Sequence, residues 1–163
     1  MADAVVDEAI KKAAVAWVSV DDGPARALWC LPLDGSLYVI SGHGEQPAPG
    51  LAGAATAQVS LRGDHGGRIV TFLAEVRRVQ PGDDEWNGVA PQVAGKRLNA
   101  SAAAEALVET WAMDNPLSCL TPIDDTAVTR PSLPDDSEAA PPRETPAARV
   151  TRKPFRLHRV RRR

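Results

Sequence analysis

The sequence predicts a mainly β (α+β) fold, a six-stranded antiparallel barrel with peripheral helices over residues 1–123, and then a disordered tail over 124–163. Three observations predict it. Short runs of alternating apolar residues are separated by tight turn signals. Two helical patterns follow those runs, and prolines crowd everything beyond Pro122. Closing such a sheet removes its exposed edges.

The elements follow in order. Asp3–Lys12 reads as a short amphipathic helix, with Val5, Val6, Ala9 and Ile10 at helical spacing and Asp3 as its cap. Ala14–Val20 alternates as a first strand and ends in the turn Asp21-Asp22-Gly23-Pro24. Arg26–Leu33 is a second strand. Asp34-Gly35 then makes a hairpin into a third strand, Leu37–Ile40, because Asp-Gly tolerates positive φ. These three strands predict an antiparallel meander.

Ser41–Gly50 changes character, with Gly42, Gly44, Gly50, Pro47 and Pro49 in ten residues. Leu51–Ala55 reads as one helical turn, Thr56–Leu61 as the fourth strand, Gly63–Gly67 as a loop and Arg68–Val79 as a long fifth strand. Asp83–Leu98 and Ser101–Met113 are helical, the first opened by acidic residues and the second capped by Ser101. Leu117–Ile123 is the sixth strand. Beyond it, prolines at 131, 134, 141, 142, 146 and 154 oppose regular structure. The residues between them bury too little to offset an ordering cost of roughly 1–2 kcal/mol per residue.

Charge divides the chain the same way. The net charge of −2 conceals an acidic body, residues 1–123, and a basic tail whose last fifteen residues, 149–163, hold eight Arg and Lys and no acid. Within that arm, Arg152, Lys153, Phe155, Arg156, Arg159 and Arg161 are the candidate partner contacts. A basic arm of this kind binds nucleic acid through phosphates, docks on the body's own acidic surface, or stays solvated with no partner. Cys30 and Cys119 sit in apolar runs and do not suggest a secreted disulfide framework. The N-terminus is acidic with no apolar leader, and the apolar runs are too short for a membrane span, so the expected location is cytoplasmic.

The ordered set Ala16–Val20, Ala27–Leu33, Asp34–Gly42, Ala57–Arg62 and Arg68–Val79 resembles the pyridoxamine 5'-phosphate oxidase-like family. These are split β-barrels that bind flavin or the deazaflavin F420. The resemblance implies a homodimer with a small-molecule cofactor, F420 or FMN, at the subunit interface, and an oxidoreductase acting by hydride transfer. Carried over position by position, Leu28, Trp29 and Cys30 on the second strand and Ile40, Ser41 and Gly42 on the third would face the cofactor ring. Arg62 would contact an anion. The chain departs from the family where flavin-binding relatives carry a Ser/Thr-x-Lys-x-x-Asn-Leu type segment, because no Lys or Arg stands between Arg26 and Arg62. His43 and the amides of Gly42 and Gly44 are weaker donors for a phosphate. The alternative is a non-catalytic dimeric barrel without cofactor that binds nucleic acid or a protein partner through its basic arm.

No metal site is indicated, since His43 and His65 lack a Cys or second His at ligand spacing. The catalytic residue is unknown, because hydride chemistry belongs to the cofactor and demands no acid–base pair. Trp17 and Trp29 read as barrel or dimer packing ahead of ring stacking, and Trp86 and Trp111 as helix packing.

Overall fold

The computed structural model describes residues 4–100, 102–129, 132–134 and 145–146. Among them are eight strands and three α-helices: α1 (Ala4–Lys12), β1 (Val15–Ser19), β2 (Arg26–Trp29), β3 (Leu31–Leu33), β4 (Ser36–Ile40), β5 (Thr56–Arg62), β6 (Arg68–Val79), α2 (Asp84–Lys96), α3 (Ala104–Asp114), β7 (Leu117–Pro122) and β8 (Val128–Thr129). The antiparallel split β-barrel is present, but with eight strands where six were expected. The caps expected at Asp3 and Ser101 lie outside the described residues.

Two changes account for the extra strands. The expected second strand is cut at Cys30. Its first half, β2, pairs with β1 (Val15 opposite Trp29, Val18 opposite Arg26), and its second half, β3, pairs with β4 (Leu31 opposite Tyr38, Leu33 opposite Ser36). The meander is therefore interrupted. Pro32 has no N–H to offer a second neighbour and fits the edge strand β3. The other addition is β8, beyond residue 123, which pairs with β6 at Val70–Thr129 and Thr71–Val128.

The strand order is β2-β1-β5-β6-β7-β4-β3, so the two ends of the sheet are consecutive in sequence, joined by Cys30 alone. The sheet curls until its ends meet through the chain. Asp34 and Gly35 adopt φ of 49° and 76°, the left-handed pair that a two-residue hairpin requires.

Alternation then sorts side chains between two cores. Ala16, Val18, Leu28, Val39, Val59, Leu61, Phe72 and Leu120 fill the barrel, with Val6 and Ile10 of α1 packed against them. Leu31, Tyr38, Ile40, Val79 and Leu117 form a second core with Trp86 and Val93 of α2 and Trp111 of α3. Trp86 and Trp111 are packing residues, as expected. Trp17, between inward-facing Ala16 and Val18, is half-buried instead of filling the barrel.

A polar network pins α2 to the sheet. The Tyr38 hydroxyl donates to Glu85 Oε1 at 2.8 Å, and Arg77 donates to both Glu85 oxygens at 2.7 and 2.8 Å. The Arg77 hydrogen bonds hold the Glu85 carboxyl below its usual 4.5, against the opposing effect of burial. A depressed folded value means that this contribution is complete at neutral pH and disappears as pH falls through the folded titration. Glu85→Gln should therefore lower stability by about 0.5–1 kcal/mol at pH 7, a modest cost because Arg77 is half-exposed. The gap between wild type and variant should close in acid, as measured by urea unfolding at pH 7 and at pH 3.

Candidate functional site

The Ser41–Gly50 loop is clamped at three points. Asn115 Nδ2 donates to the carbonyls of Ser41 and His43 at 2.8 and 3.0 Å, and the Ser41 amide donates to the Pro116 carbonyl at 3.2 Å. Gly42 has φ of 110°, and a Cβ there would stand 3.0 Å from Asn115 Nδ2, so this position favours glycine on both counts.

Glu45 provides the second clamp. Its carboxylate accepts from Arg97 Nε at 2.8 and 2.9 Å and from Trp111 Nε1 at 3.1 Å, with 5% of its side chain exposed. Gln46 provides the third. Its Oε1 accepts from the Trp29 amide at 2.8 Å, and its Nε2 donates to the carbonyls of Trp29 and Ile40 at 2.9 and 3.2 Å. One carboxamide thus gives Trp29 what a neighbouring strand would have given at the break between β2 and β3.

A groove of about 780 Å³ opens at this seam, within the range typical of small-molecule sites. Its wall is Trp29, Cys30, Leu31 and Pro32, with Ala13 and Ala14 alongside. Gly44, Glu45 and Gln46 of the loop and Leu98 complete the lining. Lys11 and Lys12 from the end of α1 and Lys96 and Arg97 from the end of α2 supply its charge. Among the described residues lining it, Glu45 is the one acid, and Arg97 and Trp111 already engage it. The side chains left to meet a ligand are apolar on the wall and cationic at the rim.

The sequence-predicted residues separate in space. Trp29, Cys30 and Gly44 line the groove. Leu28 is buried in the barrel core and Ile40 in the helix-side core. Ser41 is buried, and Gly42 and His43 are exposed on the clamped loop. Arg62 lies on a different groove, its guanidinium 4.3 Å from the Trp17 ring centroid and donating to the Gly66 carbonyl at 3.1 Å. Arg152, Lys153, Phe155, Arg156, Arg159 and Arg161 lie outside the described residues. Sequence reasoning missed Lys11, Lys12, Lys96 and Arg97. Cations at helix C-termini ordinarily complement the helix dipole, and nothing local signals that two such ends meet.

Both cysteines are free and buried. Burial pushes the Cys30 thiol up to about 12, so it stands in the groove wall as a neutral apolar group and not as a nucleophile. Among the described residues no group of three or more His, Cys, Asp or Glu is placed to hold a metal. No helix among them is long and apolar enough to cross a membrane.

No protein-family model matches the sequence, and no curated protein matches it. Solved structures do. The heme storage protein HutZ from Vibrio cholerae matches with a TM-score of 0.54 at 15% identity, over 76% of this chain and 91% of its own. A candidate pyridoxamine 5'-phosphate oxidase from Listeria innocua matches with a TM-score of 0.50 at 12% identity, over 76% and 93%. The chain therefore has the split β-barrel fold of the pyridoxamine 5'-phosphate oxidase-like proteins.

Two measurements test the seam. Glu45→Gln should cost about 2–3 kcal/mol in denaturant unfolding, because it leaves Arg97 facing a neutral partner. The value falls short of a fully buried pair because Arg97 keeps a fifth of its side chain in water. Cys30 should react with a thiol reagent at pH 8 no faster than the protein opens, so its rate should follow unfolding across a urea series.

Proposed function

We propose that this chain is a flavin- or F420-binding split-barrel protein, an oxidoreductase whose groove between the ends of α1 and α2 holds the cofactor. The observation that carries the reading is the make-up of that groove. A body rich in acid presents three lysines around an apolar wall, and its one lining carboxylate is already paired. An aromatic ring joined to a phosphate matches this donor set: Trp29 and Pro32 offer faces for the ring, and Lys11 and Lys96 offer charge-assisted donors for the phosphate, with Lys12 beside them held by Glu8 at 2.7 Å. The cation missing from the Ser41–Gly50 segment is thus replaced from elsewhere in the chain, which keeps FMN beside F420 as a ligand.

When bound, such a cofactor supplies the hydride chemistry. This chain's residues would position the ring, neutralise its phosphate and exclude water from one face. A second copy is the natural cover for the groove mouth, where Leu98 leaves 84% of its surface in water. The fold neighbours support the class of ligand in a general way, one by its description as a pyridoxamine 5'-phosphate oxidase candidate. HutZ, as a heme storage protein, makes heme the ligand to test against.

Titration of the purified protein with FMN, FAD, F420 and heme, followed by absorbance and thermal midpoint, decides the matter. FMN or F420 should raise the midpoint. Lys11→Ala with Lys96→Ala should weaken that ligand about tenfold or more, roughly one charge-assisted contact, while leaving riboflavin, which has no phosphate, unaffected. Stabilisation by heme alone, or by none of the four, overturns the reading.

A further inference from the structure

A second groove, of about 710 Å³, lies across α1 from the first and is lined by Val5, Val15, Trp17, Arg62, Asp64 and Ile69, among others. Its floor is apolar, and Val15 and Ile69 are 46% and 38% exposed. Carboxylates of Glu8 and Asp64 stand in its lining. Of its cations, Lys12 pairs with Glu8 at 2.7 Å and Arg62 lies over the Trp17 ring. The two grooves meet at Lys12, Ala13 and Ala14, and the rest of this surface lies outside the proposed cofactor site.

The chain itself leads there. After Pro122 it runs antiparallel along β6 as β8, and Thr129 shares a small hollow with Val5, Asp64, Arg68 and Ile69. Arg68 then donates to the Pro134 carbonyl at 2.5 Å. The described chain therefore reaches Pro134 against Arg68, whose hollow shares Val5, Asp64 and Ile69 with the groove, and residues 135–163 still follow.

We propose that the chain's own C-terminal segment, residues 149–163, docks in this groove with Phe155 and Leu157 as its apolar anchors. Phe155 is 21 residues beyond Pro134, and a chain of that length reaches at most about 70 Å, ample to turn back. In an extended segment Phe155 and Leu157 share one face, and Arg156 and His158 take the other. That pattern sets two apolar side chains against the groove floor and directs cations toward Asp64, since Glu8 is already held by Lys12. An arm that served only to bind phosphate would have no use for the two apolar residues. The eight cations of the segment also face a body of opposite sign, an attraction that reaches about 8 Å at physiological salt.

The test uses the full chain. A spin label on Val160→Cys leaves the buried Cys30 and Cys119 untouched, and amide NMR reports which residues it approaches. Docking predicts at least twofold loss of intensity at Val15, Trp17 and Ile69, with full recovery in the Phe155→Ala/Leu157→Ala variant. A sample mixing isotope-labelled chains without spin label and unlabelled chains with it should show no loss. Four outcomes overturn the proposal: no broadening, broadening centred on Trp29 and Lys96, broadening that survives the double substitution, or broadening carried between chains in the mixed sample. The last two would assign the arm to charge alone or to a second copy. Cofactor titration does not bear on any of them, so the two readings fail separately.

Discussion

The architecture depends on a single interruption. At Cys30 the chain leaves β1 and joins β4, and this step closes a sheet whose two outermost strands would otherwise be open edges. Backbone pairing cannot be continuous through such a step, because one strand cannot keep two diverging neighbours in register. The cost is an unpaired amide and carbonyl at Trp29, and the Gln46 side chain satisfies both. Where side chains replace a ladder, strands stand farther apart. The groove opens at that same place, so the device that closes the barrel also makes room for a ligand.

Electrostatics at the seam follow from helix direction. Helices α1 and α2 both end there, and each places basic residues in its last turn. Cations at these termini complement the helix dipoles, and only their convergence gives them a joint role. Glu45 takes Arg97 and the Trp111 indole deep in the loop, which leaves Lys11 and Lys96 outside that pair. Asn115 does comparable service by holding the Ser41 and His43 carbonyls of the same loop just ahead of β7.

Most of the fold was legible because local signals and tertiary outcome agree. Val15–Ser19, the Asp34-Gly35 hairpin, Arg68–Val79 and both later helices fall within a few residues of where periodicity and turn chemistry put them. What escaped was non-local. An uninterrupted run of strand-forming residues from Arg26 to Leu33 gives no hint that its halves serve different neighbours, since the break depends on where β1 and β4 lie. The short β8 was hidden by the prolines around it. The site was half legible: Trp29, Cys30 and Gly44 were singled out, whereas its cations come from helix ends far apart in sequence, and only the closed sheet brings them together.

The flap beyond Pro122 has a role apart from any ligand. Ile123 donates to the Leu73 carbonyl, Leu73 donates to the Thr126 hydroxyl, and β8 covers Val70 and Thr71. Where β7 ends, this flap takes over the same flank of β6 and occupies backbone groups that would otherwise face outward. A bare strand with alternating apolar side chains is a template on which another chain can add itself. The few residues after Pro122 therefore spare this flank of β6 from standing as a bare edge, and chain cleavage on their N-terminal side would expose one.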